Sequence, residues 1–416
     1  MKLGLIGMPL GHSWSPSIHG WLIHEDYSLI PLEKEELGLF LSSKNFDGLN
    51  VTIPYKQDVI PYLDEIEEGA KKIGAINCIV NRSGKLTGYN TDYEGFRDML
   101  VVHGVPVNGS KVAVLGTGGA SKAVVEAIIS LGGNPVSVSR SAKAGSITYE
   151  TLLETQDEYE VLVNATPVGM APDVDRTPVE LSQFTKLKYV IDIIANPLCT
   201  KLCFEAKRFG IPYLGGFEML VRQAIAADRY FLGRDMDMQL CEPCMNALLE
   251  ERRNIVLIGM PTCGKSTISA LLGEITGRHV VEMDQEIVER IGMPIADWFS
   301  LHGEASFRKM EMETAEAHST GTGEIISCGG GVIKTEATME ALSRNGIVVW
   351  IDRDLDKLYS TSDRPLASNN DQLKTLYEQR RPLYRMYSDI IVENNGTVED
   401  CIRTIMDKTG LKEKKL

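Results

Sequence analysis

Two glycine-rich segments of different kinds mark places where this chain could hold phosphate. The first is GTGGAS, with Gly116, Thr117, Gly118, Gly119 and Ala120 followed by Ser121. It lies between an apolar run and the start of a helical pattern. A strand, a glycine turn and a helix opening aim backbone N–H groups and the positive helix end at a pyrophosphate, so the segment suits a dinucleotide. Ser121 stands where the fingerprint has its third glycine. The following strand ends SVSRSAK without the acidic residue that takes the ribose hydroxyls of NAD. Arg140, with Lys143 nearby, would instead receive a 2′-phosphate, which favours NADP(H); the alternative is a solvated arginine in a surface turn.

The second segment is GMPTCGKST, and it fits GxxxxGK[ST] in full. Gly259, Pro261, Thr262, Cys263, Gly264 and Thr267 would form a backbone cradle for ATP phosphates. Lys265 would reach the transferring phosphoryl group and Ser266 would ligate Mg²⁺. The Cys263 side chain has no required part in this, and its oxidation would cost nucleotide binding. The motif points to a nucleotide and leaves the acceptor open.

At 416 residues the chain exceeds what one hydrophobic core usually organises, so the two loops are expected in different domains. Hydrophobic residues make up 43% and charged residues 24%, the balance of an ordinary globular protein. No apolar run reaches the roughly 20 residues of a membrane span. The opening MKLGLIGMPLGHS reads as a first strand rather than a signal peptide, which places the mature start at or near Met1. A net charge of −14 argues against nucleic acid or an anionic membrane as partner, and means that anionic substrates need local cations. Eight cysteines without framework spacing fit a reducing cytoplasm. Cys241 and Cys244 form a CxxC with no second ligand pair, which reads as two half-buried thiols on a helix rather than a zinc or redox centre.

The elements that must position these loops follow an α/β rhythm. Strands are expected at KLGLIG, at GLNVTI near Leu49 and at CIVN near Cys78, with helices between, as an open α/β unit. A second unit begins at SKVAVLG and continues through PVSVS, YEVLVNA and KYVIDII, which predicts a doubly wound, mostly parallel sheet. FEMLVRQAIAADRYFL has helical spacing and is expected to pack back on the first unit. The charged run ALLEERRN places a boundary at Glu250 to Arg253. Beyond it, NIVLIG feeds the second loop, and HVVEM, EIISC, IVVWID and DIIVE supply further strands. The expected layout is 1–250, with a substrate lobe at about 1–103 plus a closing helix at 217–235 and a dinucleotide lobe at 104–216, and then 254–416.

Polar clusters between these elements carry a family likeness. HSWSP from His12, NVTIPYK from Asn50, GAIN from Gly74, GYNTDYEGF from Gly88, NATPVGM from Asn164 and MLVRQA from Met219 together resemble shikimate dehydrogenase, up to the boundary. The resemblance implies that Ser13 and Ser15 bind the substrate carboxylate and that Thr52, Asn77 and Gln223 bind ring hydroxyls. It makes Lys56 and Asp92 the catalytic pair, and adds Thr166, Gly216 and Met219 to the NADP site. A lysine held charged by an aspartate can stabilise and protonate the oxygen of a ketone that accepts hydride. Ala195 stands where the family more often has an aromatic residue, and SVSRS is looser than the family's Asn-Arg-Thr signature.

Past the boundary, EMDQEI, GEASFRKME, CGGG, DRPL and RRPLY resemble shikimate kinase in order and separation. That likeness implies a P-loop NTPase-type domain with a parallel sheet. It makes Asp284 the residue that takes the acceptor's proton, Arg308 and Arg380 the grip on a carboxylate, and Gly330 and Gly331 the close approach to the ring. Arg364 resembles a lid arginine on the ATP. Glu282 replaces the family's aspartate, so Mg²⁺ would be met by a longer carboxylate, by way of water. The segment before RPL looks short and lacks a further arginine.

The two likenesses imply consecutive steps of aromatic amino acid biosynthesis: 3-dehydroshikimate is reduced to shikimate, and shikimate is phosphorylated at the 3-hydroxyl. Two alternatives stand beside this reading. One is action on quinate with NAD; the other is a kinase-like half that binds ATP and shikimate as a regulatory module without turnover. Oligomeric state is open.

Overall fold

The computed structural model describes residues 1–11, 13–141, 145–321, 323–358 and 370–414. Arg364, Lys143 and His12, and with them the DRPL segment, lie outside the described residues. The chain divides into two units, Met1–Leu248 and Leu249–Leu416.

In the first unit, β1 (Leu3–Gly7), β2 (Tyr27–Pro31), β3 (Gly48–Val51), β4 (Glu65–Ile66), β5 (Cys78–Arg82) and β6 (Lys85–Tyr89) form one sheet in the order β2-β1-β3-β5-β6-β4. β1 is parallel to β2 and β3, whereas β5 is antiparallel to both β3 and β6. The sheet is therefore mixed. β2 and β6 have no counterpart in the sequence expectation. YSLIP is a mostly exposed strand at the sheet edge, and KLTGY alternates buried with polar positions around a glycine, so neither presents an apolar run.

β7 (Lys111–Leu115), β8 (Asn134–Ser139), β9 (Ser146–Thr148), β10 (Val161–Asn164), β11 (Tyr189–Asp192) and β12 (Tyr213–Leu214) form the second sheet, all parallel, in the order β9-β8-β7-β10-β11-β12. This 3-2-1-4-5-6 order is that of a dinucleotide-binding sheet, with its switch point between β7 and β10. GTGGAS follows β7 and so sits at that crevice.

Two helices tie the sheets together. Thr91–Val102 buries Phe96, Met99 and Leu100 in a core shared with Val112 and Val114 of β7. Gly216–Leu232 sends Met219 into that same core, and Ala227 and Phe231 into another with Leu3, Cys78 and Val80. The closing helix thus belongs to both lobes. A Cβ at Gly95 would stand 2.8 Å from Gln223 N and 2.9 Å from Met219 O, so only glycine permits this helix crossing. Larger residues would push Gln223 away from Asn77 and Thr91.

In the second unit, β13 (Asn254–Ile258), β14 (Val280–Glu282), β15 (Ile325–Ser327), β16 (Gly346–Asp352) and β17 (Ile390–Glu393) form a parallel sheet in the order β14-β15-β13-β16-β17. The strands are short apolar runs covered by helices, as parallel sheets require. β13 is entirely buried and delivers the chain into the second phosphate loop. The helix Ile295–Ala317 breaks at Gly303, whose φ is +77°, and Arg308 lies on its second segment.

Candidate active sites

Lys56 leaves β3 through a turn in which the Tyr55 N–H donates to Thr52 O at 2.9 Å, and Tyr55 itself is buried as an anchor. Asp92 occupies the first turn of the helix Thr91–Val102, whose N-cap Asn90 accepts from Tyr93 N at 3.1 Å. The cap holds the helix start in place. Lys56 Nζ then meets Asp92 Oδ2 at 2.6 Å.

Asn77 is the hub beside this pair. Its Nδ2 donates to Asp92 Oδ1 at 2.9 Å and Thr91 Oγ1 at 3.0 Å, and lies 3.4 Å from Gln223 Oε1. Its Oδ1 accepts from Thr91 N at 2.7 Å. Thr91 Oγ1 reaches Gln223 Oε1 at 3.2 Å. A second branch runs through Asn50 to Tyr27. The Tyr27 hydroxyl donates to Asn50 Oδ1 at 2.8 Å, and Asn50 Nδ2 donates to Asn77 O at 3.3 Å. Burial, with Asp228 nearby, holds that phenol well above its usual pKa. Ser13 Oγ accepts from Ser15 N at 3.2 Å. Thr52 N donates to Ile6 O at 2.9 Å, which fixes this residue at the end of β3. Thr91, Asn50 and Tyr27 were missed by sequence reasoning, although Thr91 and Asn50 lie inside quoted motifs.

The dinucleotide loop abuts this cluster: a Cβ at Gly119 would stand 3.4 Å from Lys56 Cβ. Gly116 has φ +110°, and Gly118 caps the helix Gly119–Ser130 without a side-chain bond, so the helix-end N–H groups face outward. Ser121, in place of the third glycine, donates to Gly116 O at 2.6 Å and closes the turn. Thr117 lies on the loop, and Ala120 lies in the first turn of that helix. Arg140 follows β8 directly and is exposed. Thr166 donates to Asn164 Oδ1 from its hydroxyl at 2.7 Å. Asn164 in turn holds Asp192, which also accepts from Thr200 Oγ1 at 2.7 Å and Ile194 N at 3.1 Å. Burial pushes the Asp192 carboxyl up to about 6, against those hydrogen bonds. Gly216 N donates to Ile194 O at 3.0 Å, and Met219 follows one turn later in the buried core.

In the second unit a cavity of about 330 Å³ is lined by Thr262, Gly264, Lys265, Ser266, Thr267, Glu282, Asp284 and Gly330, and also by Asn394, which sequence reasoning missed. Lys265 Nζ rests on Gly259 O at 2.9 Å and Met260 O at 3.0 Å. Asn394 Nδ2 donates to Cys263 O at 2.8 Å and braces the loop from β17. Cys263 is fully buried, so its contribution is backbone and its thiol is not offered to an oxidant. Pro261 packs on Gly330, where a Cβ would stand 2.9 Å from Pro261 Cδ.

Asp284 opens the helix Met283–Ile291, and a Cβ at Gly329 would stand 2.5 Å from its Oδ1. A Cβ at Gly331 would collide with the Arg308 guanidinium. The three glycines therefore make room for side chains of the site itself. Arg380 Nη1 donates to Gly330 O at 2.7 Å. Arg308 donates to Glu311 Oε2 at 2.8 Å and, from Nη2, to Glu304 Oε1 at 2.9 Å. Glu311 is buried, and burial pushes its carboxyl up to about 7; Arg308 and Arg380 oppose that rise and Asp284 adds to it. Glu311 lies three residues after Arg308 on one helix face, a spacing visible in the motif already quoted.

Cys241 and Cys244 lie on a helix as expected but are fully rather than half buried, and burial pushes both thiols up to about 12. Neither is a thiolate near neutral pH. Among the described residues no group of three or more His, Cys, Asp or Glu is placed to hold a metal ion, and no helix is long and apolar enough to cross a membrane.

Both units have counterparts among known proteins. Residues 5–79 match the family described as shikimate dehydrogenase substrate binding domain, and residues 261–409 match shikimate kinase. A shikimate dehydrogenase (NADP(+)) of Clostridium beijerinckii is 41% identical over 257 residues, covering 58% of this chain and 94% of the relative. The solved structure of shikimate dehydrogenase 1 from Peptoclostridium difficile superposes with a TM-score of 0.56 at 35% identity, covering 60% of this chain and 98% of that one. The Thermus thermophilus enzyme in complex with NADP(H) and shikimate gives 0.55 at 30% identity, over 59% and 99%. This chain belongs to the shikimate dehydrogenase family, and behind a nearly full-length match to that enzyme it carries a shikimate kinase domain.

Proposed function

We propose that the chain is a bifunctional enzyme of the shikimate pathway: residues 1–250 reduce 3-dehydroshikimate to shikimate with NADPH, and residues 254–416 phosphorylate shikimate with ATP and Mg²⁺. The observation that carries the first half is the Lys56–Asp92 pair at 2.6 Å, beside the dinucleotide loop and inside the Asn77 network. Bound NADPH supplies hydride. Its fit to this chain rests on the outward-facing helix end at Gly118 and on Arg140, whose guanidinium suits a 2′-phosphate.

Ser13 and Ser15 bind the substrate carboxylate, with Thr52, Asn77 and Gln223 on the ring hydroxyls. Lys56 stabilises the negative charge that develops on the carbonyl oxygen and delivers the proton to it. Asp92 orients the ammonium. Thr166, Gly216 and Met219 shape the far side of the dinucleotide crevice.

In the second half, Arg308 and Arg380 take the substrate carboxylate and Asp284 accepts the proton of the attacking hydroxyl. Lys265 moves from the loop carbonyls to the transferring phosphoryl group, whose charge it neutralises. Ser266 and Glu282 present hard oxygen donors that would hold Mg²⁺, directly or by way of water, and the ion would neutralise charge on the phosphates.

One assay tests both halves: purified chain with 3-dehydroshikimate, NADPH, ATP and Mg²⁺, with products separated by mass. Shikimate 3-phosphate is the expected product. Shikimate accumulating unphosphorylated would make the second unit a regulatory module, and no loss of NADPH would overturn the reading. Quinate oxidation with NAD is the control for substrate range.

A further inference from the structure

Glu282 ends β14, and both its carboxylate oxygens are held by hydroxyls of the helix that opens behind the phosphate loop. Oε2 lies 3.0 Å from Ser266 Oγ, and Oε1 lies 2.6 Å from Ser269 Oγ. Ser266 and Ser269 are three residues apart on the helix Lys265–Thr276 and so share a face. Ser269 is fully buried.

A serine hydroxyl has one hydrogen to donate. Ser269 Oγ has two acceptors in reach, Glu282 Oε1 at 2.6 Å and the Ser266 carbonyl at 3.0 Å. The bond to the charged carboxylate is the shorter and the stronger of the two. A glutamate has one more rotor than the aspartate expected at this position, and an unrestrained side chain loses that freedom on binding an ion. Mg²⁺ demands near-octahedral placement of its oxygen ligands, whether directly or through its waters, so a wandering carboxylate serves it poorly. Ser269 removes the excess freedom.

We propose that Ser269 is the positioning residue of the Mg²⁺ site: it ties down Glu282 Oε1 so that Oε2 and Ser266 Oγ face the ion together. The proposal rests on the reading of this unit as one that uses ATP with Mg²⁺.

The test is Mn²⁺ binding to the full chain with saturating ADP, followed by electron paramagnetic resonance, in the native protein, Ser269→Ala, Glu282→Asp and the double variant. Loss of an outer partner of a metal ligand typically costs 10–100-fold in affinity, and Ser269→Ala is expected to raise the Mn²⁺ dissociation constant roughly tenfold. Metal-free ADP binding stays unchanged. In the Glu282→Asp background the same change has little effect, because the shorter side chain already gives up the Ser269 contact. An unchanged Mn²⁺ constant in Ser269→Ala, or an equal loss in the Glu282→Asp background, overturns the positioning role. Loss of metal-free ADP binding would show a structural role and also overturn it. A native protein that binds ADP without any Mn²⁺ site overturns the underlying reading as well, and is told apart by the native measurement alone.

Discussion

Lys56 and Asp92, 36 residues apart in the chain, meet at 2.6 Å with side chains only 16% and 10% exposed. Asp92 is held from its other oxygen by Asn77, so the carboxylate cannot follow the lysine if it moves. The ammonium is thereby fixed against a rigid partner. Lys56→Ala is expected to lower the rate of NADPH-dependent reduction by about 10²–10⁴, the usual contribution of a positioned acid. Shikimate phosphorylation by the same protein stays intact, and Lys265→Ala gives the converse. Separate assays of the two reactions check both; loss of both activities from either change would contradict independent sites.

Thr91 is wholly buried and ties Asn77 to Gln223. Thr91→Val keeps the volume and removes the hydroxyl. A hydrogen bond is worth about 1 kcal/mol net, so the KM for shikimate is expected to rise about fivefold with a smaller change in kcat. Steady-state kinetics at saturating NADP decide it.

Arg140 is exposed and follows β8 directly. If it receives the 2′-phosphate, Arg140→Ala raises the KM for NADPH roughly tenfold, on the order of one charge-assisted bond. The KM for NADH stays the same. Equal changes with both cofactors would remove Arg140 from the site.

Burial raises the Asp192 carboxyl from 3.8 to about 6, so the folded state keeps a proton that the unfolded chain has already shed. Its contribution to stability is therefore full below about pH 4 and is lost as pH rises toward 6. The size is at most about 3 kcal/mol. Asp192→Asn is expected to flatten this part of the pH profile, because an amide can still accept from Asn164 and meet Thr200. Denaturant unfolding from pH 4 to pH 7 in both proteins checks the sign.

Glu311 carries a carboxyl raised to about 7 against Arg308, in the place where a substrate carboxylate is expected. An incoming anion favours the neutral form of Glu311. Shikimate binding to the second unit is therefore expected to tighten as pH falls from 8 to 6. Glu311→Gln removes the dependence while still accepting from Arg308. Calorimetric titration with shikimate across that range measures it, and the same slope in both proteins would exclude Glu311 as the linked group.

What could be read from the chain alone was whatever its contiguous residues encode. GMPTCGKST must follow a strand and open a helix to work, and β13 and the helix Lys265–Thr276 flank it as that requires. The central strands of the parallel sheets, such as β7, β10 and β13, are apolar runs and were legible for that reason, whereas the short β9 and β12 were not. β2 and β6 were not, because an edge strand and a half-polar hairpin strand carry no such run. Even the partner of Arg308 was within reach, since three residues along a helix is a local relation.

Other contacts depended on packing between distant segments. Ser269 meets Glu282 only because β14 lies beside the loop helix, and Asn394 reaches the phosphate loop only from the end of β17. Gln223 comes to Asn77 across 146 residues because Gly95 lets two helices touch. Motifs named Lys56, Asp92, Asp284 and Arg308 because local chain geometry and residue chemistry travel with the sequence. The groups that hold them in place come from remote segments, and only the burial of shared cores decides which of those become neighbours.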